Sequence, residues 1–310
     1  MKVLITGGLG QIGSHVAEDL IFRGDEVLVI DNLATGREEH LKKNPLLKVV
    51  IDTISNREAV FEHVESFRPD VIVHTAASYK DPNDWYNDAL TNCVGGAIVV
   101  DAAKHFNVKR FIYFQTALCY GLKPIEQPIT LDHPRAPQGS SYSISKTANE
   151  YYIELSGIDY VTFRLANVIG PRNVAGPLPI FFQRLKDGKK CFITKSKRDF
   201  VFVKDLSKIV LRACDGEGNG TYHFSTGTDI SIKKLYDSVV DAMDFKEYPI
   251  PEIKDLAPDD VYSILLDPSR TFKDFGNIEF TEIEKTVKEA VDYFSQHGTL
   301  GEYTHLKLEG

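Results

Sequence analysis

The chain has 310 residues, 43% hydrophobic and 26% charged, which excludes a disordered or fibrous protein and suffices for one large core or two ordinary ones. With 36 Lys plus Arg against 44 Asp plus Glu, the formal net charge is -8, the wrong sign for wrapping a phosphate backbone, so nucleic acid is excluded as a main partner. There is no apolar run of about 18 residues, and the apolar stretch after Lys2 is too short for a signal sequence, so a soluble cytoplasmic protein with no membrane partner is expected. The four cysteines, Cys93, Cys119, Cys191 and Cys214, form no Cys-x-x-Cys pair, which suits neither a metal site nor a disulfide framework.

In chain order, short β-branched runs at 2–6, 26–31, 48–52, 71–74, 111–115 and 160–163 alternate with helical stretches. This is the pattern of a doubly wound parallel α/β sheet of the Rossmann type, covered by helices on both faces. The first helix is expected over 12–23, with Ile12, Val16, Leu20 and Phe22 as its apolar residues and Gly24 at its C-cap. Beyond about Asn167 the alternation loosens and Pro171, Pro177 and Pro179 interrupt the chain. We therefore expect a dinucleotide-binding domain over 1–166 and a smaller α/β substrate domain over 167–310, with part of 199–225 packing back on the first and a cleft between them.

The first strand runs into Thr6-Gly7-Gly8-Leu9-Gly10-Gln11-Ile12-Gly13 and then a helix. Glycines in that context let the turn form, let backbone approach a pyrophosphate and aim a helix N-terminus at its charge. Asp31 ends the second strand, where a carboxylate accepts from an adenosine ribose and repels a 2′-phosphate, so NAD is the expected cofactor. A turn without ligand is the blander reading of the glycines, and the start of the turn Asn32-Leu33-Ala34-Thr35-Gly36 the blander reading of Asp31.

Tyr142 and Lys146 are four apart, hence on one face of a helix expected over 142–155. A tyrosine serves as a base at neutral pH only beside a positive charge, which Lys146 can supply. Thr116 closes the fifth strand at the carboxyl edge of the sheet, where a hydroxyl can hold a substrate oxygen.

Taken together, Gly7/Gly10/Gly13, Asp31, Asp52, His74-Thr75-Ala76-Ala77, Asn92, the Thr116 segment, Tyr142/Lys146, the run Arg164 to Arg172 and the run Arg198 to Val203 resemble one family over nearly the whole chain. It is the extended short-chain dehydrogenase/reductases that act on nucleotide sugars, and the chain is most similar to the UDP-galactose/UDP-glucose 4-epimerase type of bacterial polysaccharide (O-antigen) pathways. The resemblance implies catalytic roles for Thr116, Tyr142 and Lys146. It implies a cofactor site of Gly7, Gly10, Gln11, Ile12, Gly13, Asp31, Asn32, Asp52, Thr53, Ala76, Ala77, Asn92, Tyr142 and Lys146. On the substrate side it implies that Asn167 meets the diphosphate or uridine side and that Arg198 pairs with a phosphate, with a polar strand cap and an ion pair to Asp199 or Asp205 as the respective structural alternatives. The implied chemistry removes a proton from a sugar hydroxyl and a hydride from its carbon, passes through a keto sugar, and returns the hydride to the other face.

Within the resemblance, Ala117 stands where 4,6-dehydratases carry an acid, and Leu118 where UDP-glucuronate decarboxylases carry glutamate and GDP-fucose synthases cysteine. Epimerisation of a UDP-hexose, UDP-N-acetylhexosamine or UDP-hexuronic acid survives that elimination. The alternatives are another dehydratase or reductase of the family, or a non-catalytic NAD-binding sensor. Two departures bear on substrate. Ala257 replaces an arginine used on the diphosphate, and Lys195 and Lys197 add charge that either compensates, meets a uronate carboxylate, or simply faces solvent. Relatives dimerise through two helices, here 85–106 and 142–155, so a homodimer is expected; Tyr151 and Tyr152 near that face belong either to the core or to the interface, with the core as the default.

Overall fold

A computed structural model describes residues 1–79, 81, 83–256 and 261–299. The sheet is built in chain order from β1 (Lys2–Thr6), α1 (Gln11–Arg23), β2 (Glu26–Asp31), β3 (Leu47–Ile51), α2 (Arg57–Phe67), β4 (Val71–His74), α3 (Trp85–Asp88), α4 (Gly96–His105), β5 (Arg110–Thr116), α5 (Ser141–Ser156) and β6 (Tyr160–Leu165). Then come β7 (Asn167–Ile169), α6 (Pro177–Lys186), β8 (Phe192–Thr194), β9 (Lys197–Arg198), β10 (Phe200–Phe202), α7 (Val203–Cys214) and β11 (Gly220–Phe224). The chain continues through β12 (Ile230–Ser231), α8 (Ile232–Ala242), β13 (Glu252–Lys254), α9 (Ser269–Phe275) and α10 (Ile283–His297).

Seven strands lie in the order β11-β6-β5-β4-β1-β2-β3, every neighbouring pair parallel. This is the Rossmann-type sheet expected from the alternation. The register sets Thr6 beside His74, Asp31 beside Ile51 and Thr116 beside Leu165, so the carboxyl ends of the strands form one edge. The chain reverses its direction of travel across the sheet at β1, and the crevice of such folds opens there.

Helix α1 forms because Ile12, Val16, Ala17 and Leu20 make one apolar stripe, and Gly24 ends it at φ 99° with its N–H on the carbonyls of Ile21 and Leu20. Phe22 does not share that stripe and is 95% exposed. Two residues past Leu20 is about 200° around the helix, the opposite side. α7 packs beside α1 on this face of the sheet, and α2, α4 and α5 cover the other.

The predicted helix over 85–106 is in fact three pieces, because a π-helical stretch, Ala89–Gly95, widens the turn between α3 and α4. Such stretches recur at functional sites, and this one carries Asn92. Tyr151 and Tyr152, expected in the core, are about half exposed (50% and 45%), and Leu155 is 81% exposed, so the outer face of α5 is apolar and uncovered by this chain.

Past β6 a second core gathers Leu178, Phe182, Leu235, Val239, Val287 and Phe294 from α6, α8 and α10. Small two-stranded pairs, β7 with β10, β8 with β13 and β9 with β12, edge it. Arg172, at φ 64°, ties this region to α1 through Ser14 Oγ (3.0 Å) and Glu18 (2.8 Å). Among the described residues no helix is long and apolar enough to cross a membrane.

Candidate active site

The glycine turn is fixed by sterics at both ends and open in its middle. A Cβ on Gly7, at φ 69°, would lie 2.6 Å from Ala76 Cα, and one on Gly13 would lie 2.5 Å from Gly7 O. These two positions let strand, turn and helix close on each other. A Cβ on Gly10 would meet only Gly7 O at 3.3 Å, so the space in front of Gly10 is available to a ligand. Gly10 caps α1 without any side-chain hydrogen bond, and the first N–H groups of a helix, here those of Gln11, Ile12 and Gly13, have no intrahelical partner, which makes this end suited to an anion. Thr75 Oγ1 donates to the carbonyls of Thr6 (2.7 Å) and Gly7 (3.0 Å), binding the end of β4 to the turn beside Ala76 and Ala77.

Asp31 is buried, and its carboxylate accepts from the Leu9 N–H (2.9 Å) and the Leu33 N–H (2.8 Å). Burial raises its pKa against the pull of these two donors. Asp31 thus holds the glycine turn to its own turn, with Asn32 Oδ1 accepting from the Ala34 N–H (3.0 Å) at the exposed tip. Arg37, the cation nearest that tip in sequence, reaches Glu39 and the His297 carbonyl. Asp52 and Thr53 follow β3, Asp52 accepting from the Thr53 N–H at 2.7 Å and Thr53 Oγ1 lying 2.9 Å from Ser55 Oγ. Asn92 is buried with its amide committed to protein: it accepts from the Ser78 N–H (2.8 Å), donates to the Ser78 carbonyl (2.9 Å) and donates to Ser145 Oγ (3.0 Å). It therefore fastens the segment after Ala77 to α5. The donors and the open space at Gly10 fit a dinucleotide.

Ser140 caps α5 by accepting from the Ser143 N–H (3.1 Å), and the helix carries Tyr142 and Lys146 toward the carboxyl edge. Thr116 is the last residue of β5, and α5 packs on β5 and on the 3-10 turn that Thr116 caps. Its hydroxyl accepts from the Leu118 N–H at 3.2 Å, which leaves the O–H to donate outward. Burial, with Tyr79 and Asp88 adding to it, raises the Tyr142 phenol well above the ordinary tyrosine value. The Tyr79 ring stands edge-on to it at 6.3 Å. Lys146 is 3% exposed, and burial pushes its pKa down to about 7 against the opposing pull of Glu150. At neutral pH the pair is therefore a phenol beside an amine close to its own titration point.

Behind the pair lies a buried polar chain. Glu150, one turn beyond Lys146 and fully buried, accepts from Arg164 Nε (3.0 Å) and Gln115 Nε2 (3.0 Å), with Arg135 at 3.4 Å. Arg164 donates to the Tyr120 hydroxyl (2.5 Å), which lies 2.6 Å from His223 Nε2. Burial alone would lower Arg164, but Glu150 overrides it and raises the guanidinium above its ordinary value. Gln115 closes the circuit to the edge, its Oε1 accepting from the Thr116 N–H at 2.8 Å.

On the substrate side, Asn167 is exposed and donates to the Asp199 carbonyl at 3.1 Å, as a cap between β7 and β10 does. Arg198 donates to the carbonyls of Lys197 (2.8 Å), Val261 (2.7 Å) and Tyr262 (3.2 Å). Neither acid weighed as its partner takes it: Asp199 accepts from Ser225 and Thr226, and Asp205 from Lys208 and the Thr281 N–H. Lys197 Nζ is 3.6 Å from Asp229, and Lys195 is exposed. Ala257 lies outside the described residues.

The model of the NAD dependent epimerase/dehydratase family matches residues 3–225. The chain belongs to that family. It is an NAD-dependent enzyme. A UDP-glucose 4-epimerase of Mycolicibacterium smegmatis is 31% identical over 83% of this chain and 88% of its own length. The enzyme WbmH of Bordetella bronchiseptica, solved in complex with NAD+, superposes with a TM-score of 0.95 at 65% identity over 96% of this chain and 99% of that one. WbmG of the same organism, solved with NAD and UDP, superposes with a TM-score of 0.89 at 40% identity over 98% and 97%.

Within the family frame, Ala117 and Leu118 sit in the 3-10 turn after Thr116, and Cys119 beside them is fully buried with its thiol pushed up to about 12, a packing residue. Sequence reading missed Tyr113, Gln115 and Glu150, which support the edge residues. Glu150 left one signal, its position four after Lys146 as Lys146 is four after Tyr142.

Proposed function

We propose that the protein is a C4 epimerase of UDP-linked sugars that works through a transient 4-keto sugar. NAD, when bound, supplies a hydride acceptor that gives the hydride back, so no net oxidation results. Tyr142 takes the proton of the sugar hydroxyl and returns it, Lys146 supplies the positive charge that lowers the phenol, and the Thr116 O–H donates to the same sugar oxygen. Gly7, Gly10 and Gly13 with Asp31, Asn32, Asp52, Thr53, Ala76 and Ala77 line the dinucleotide, and Asn92 holds that lining to α5. Asn167 and Arg198 face the diphosphate side. We take 1–166 as the cofactor unit and 167–310 as the substrate unit, with α7 and β11 returned to the first.

The observation that carries this reading is the buried Lys146 one turn from Tyr142, with its pKa near 7, on a helix packed against the strand that ends in Thr116. The names of the relatives, a UDP-glucose 4-epimerase and a protein holding NAD and UDP together, support the nucleotide and the outcome. Ala117 and Leu118 bring no acid for elimination or decarboxylation. We further infer a cytoplasmic homodimer built on the uncovered face of α5 with Trp85 and Val94 nearby in sequence on the neighbouring helical run, all of them exposed. Its product would serve surface polysaccharide assembly.

The test is proton NMR of the purified protein with UDP-glucose, UDP-N-acetylglucosamine or UDP-glucuronic acid, without added cofactor. One of them is expected to yield its 4-epimer, and Tyr142→Phe to slow that conversion about 10²–10⁴-fold. A preference for the uronate that disappears in Lys195→Ala/Lys197→Ala would assign those lysines to its carboxylate. Tightly bound NAD with no conversion of any of the three would defeat the reading in favour of a sensor.

A further inference from the structure

Lys146 is fully desolvated, yet its role requires a charge, and an unpaired ammonium in such a place is costly. The structure shows what it rests on. Its Nζ lies over the Tyr113 ring, 4.2 Å from the centroid. The Tyr113 hydroxyl donates to the main-chain carbonyl of Lys146 itself, at 2.9 Å. The His74 imidazole runs nearly parallel to the same ring, centroids 5.7 Å apart and 15° between planes, and its Nδ1 lies 2.6 Å from Thr6 Oγ1 at the mouth of the glycine turn. Tyr113 and His74 are both completely buried.

We propose that Tyr113 is a positioning residue for Lys146, its ring face holding the ammonium in place and charged while its hydroxyl pins the turn of α5 that bears it. This rests on the reading in which the charge of Lys146 serves Tyr142. The groups facing Lys146 are Tyr113 and His74 from the sheet and Tyr142 and Glu150 from its own helix, with Asp88 acting on Tyr142 from the preceding helical run. Burial, reinforced by Lys146, pushes His74 down to about 3, and burial with Glu150 raises the Tyr113 phenol well above its usual value. Both are neutral at pH 7, so what Lys146 meets on the sheet side is the electron-rich face of a ring rather than a counter-ion. Sited at the register position beside His74 and two residues before Gln115, Tyr113 also links the ammonium to the strand that ends in Thr116.

The test follows the Lys146 titration by NMR of protein carrying 13C at lysine Cε, the signal assigned by its loss in Lys146→Arg, with no substrate present. Tyr113→Phe keeps the ring, and the titration midpoint is expected to stay within about 0.3 pH unit. Tyr113→Leu removes the ring, and the midpoint is expected to fall by about 0.5–1.5 units. If Tyr113→Leu fails to fold, phenylalanine and its mono-, di- and trifluorinated analogues at position 113 hold the shape constant while draining the ring face, and the midpoint falls with each fluorine. A midpoint indifferent to ring removal, or to fluorination, overturns the proposal. In catalysis the alkaline limb of kcat/KM moves down with the same midpoint. Since the NMR midpoint needs no turnover, failure of this proposal and failure to convert any UDP-sugar are read separately.

Discussion

The buried pair Glu150–Arg164 offers the sharpest energetic prediction. Glu150→Gln conserves volume but removes the charge that faces Arg164 Nε at 3.0 Å, Arg135 at 3.4 Å and Gln115 Nε2 at 3.0 Å. Arg164 stays charged, because a guanidinium's intrinsic pKa of about 12 or more keeps it protonated at ordinary pH even without the Glu150 carboxylate. The variant therefore contains a buried cation without its counter-charge, a defect that costs about 3–5 kcal/mol. With an unfolding entropy of about 2.1 cal/mol/K per residue, a chain of 310 residues loses about 5–8 °C of melting temperature for that cost. Removing both charges in Glu150→Gln/Arg164→Met relieves much of it, since an apolar replacement of a buried pair is often nearly neutral, and a coupling of about 2–3 kcal/mol is expected across the double-mutant cycle. Differential scanning calorimetry of the four proteins measures it. The pair Arg57–Asp101, with both side chains more than half exposed, serves as the control and should change stability by less than about 1 kcal/mol. A Glu150→Gln protein within about 1 kcal/mol of the parent, or a cycle that closes additively, would refute the reasoning.

Two further outcomes follow from the same structure. Gly10→Ala should leave the melting temperature of the NAD-free protein nearly unchanged and weaken NAD tenfold or more, whereas Gly13→Ala, whose Cβ would stand 2.5 Å from Gly7 O and 2.7 Å from Gly8 Cα, should cost about 1–3 kcal/mol of stability before any ligand is added; calorimetry beside an NAD titration separates them, and like behaviour of the two variants counts against the cradle. His15 and His74 are depressed to about 3 and His223 to about 4, chiefly by burial. The unfolded chain protonates these residues near 6.5 and the folded one does not, so their contribution is fully present above about pH 6.5 and is lost as pH falls toward 3–4, at about 1.4 kcal/mol per pH unit for each histidine. Denaturant titrations at pH 7.5, 6 and 5 read that slope, and a stability independent of pH across the range would contradict the buried neutral imidazoles.

What the sequence made legible was whatever depends on neighbours along the chain. Val3-Leu4-Ile5 and Val71-Ile72-Val73 are apolar without interruption because the strands are covered on both faces, so their place in a parallel sheet was plain. The glycine turn was plain because its conformation demands glycine locally, and Tyr142 with Lys146 because helical spacing alone puts them together. β11 was harder. It alternates Thr221 and His223 with Tyr222 and Phe224, since only one side of it meets the apolar core while the other carries the His223–Tyr120–Arg164 chain. Tyr151 and Tyr152 were misplaced for the converse reason: an aromatic pair looks the same in sequence whether it is covered by its own chain or left outside.

The supporting residues of the site were illegible for a stronger reason, which is that their partners lie on other elements. Tyr113 and Gln115 share one side of β5 by the two-residue alternation of a strand, and α5 places Lys146 and Glu150 opposite them by its four-residue spacing. Either periodicity alone predicts only a face. Their intersection sets an ammonium over a ring and a carboxylate against an amide, with Thr116 held by that amide at the strand's end. The two hydroxyls and the amine to which we assign the chemistry are thus positioned by contacts between one strand and one helix. A change at Tyr113, Gln115 or Glu150, none of which needs to touch a sugar, should then alter the reaction more than a change at the exposed Lys195 or Lys197.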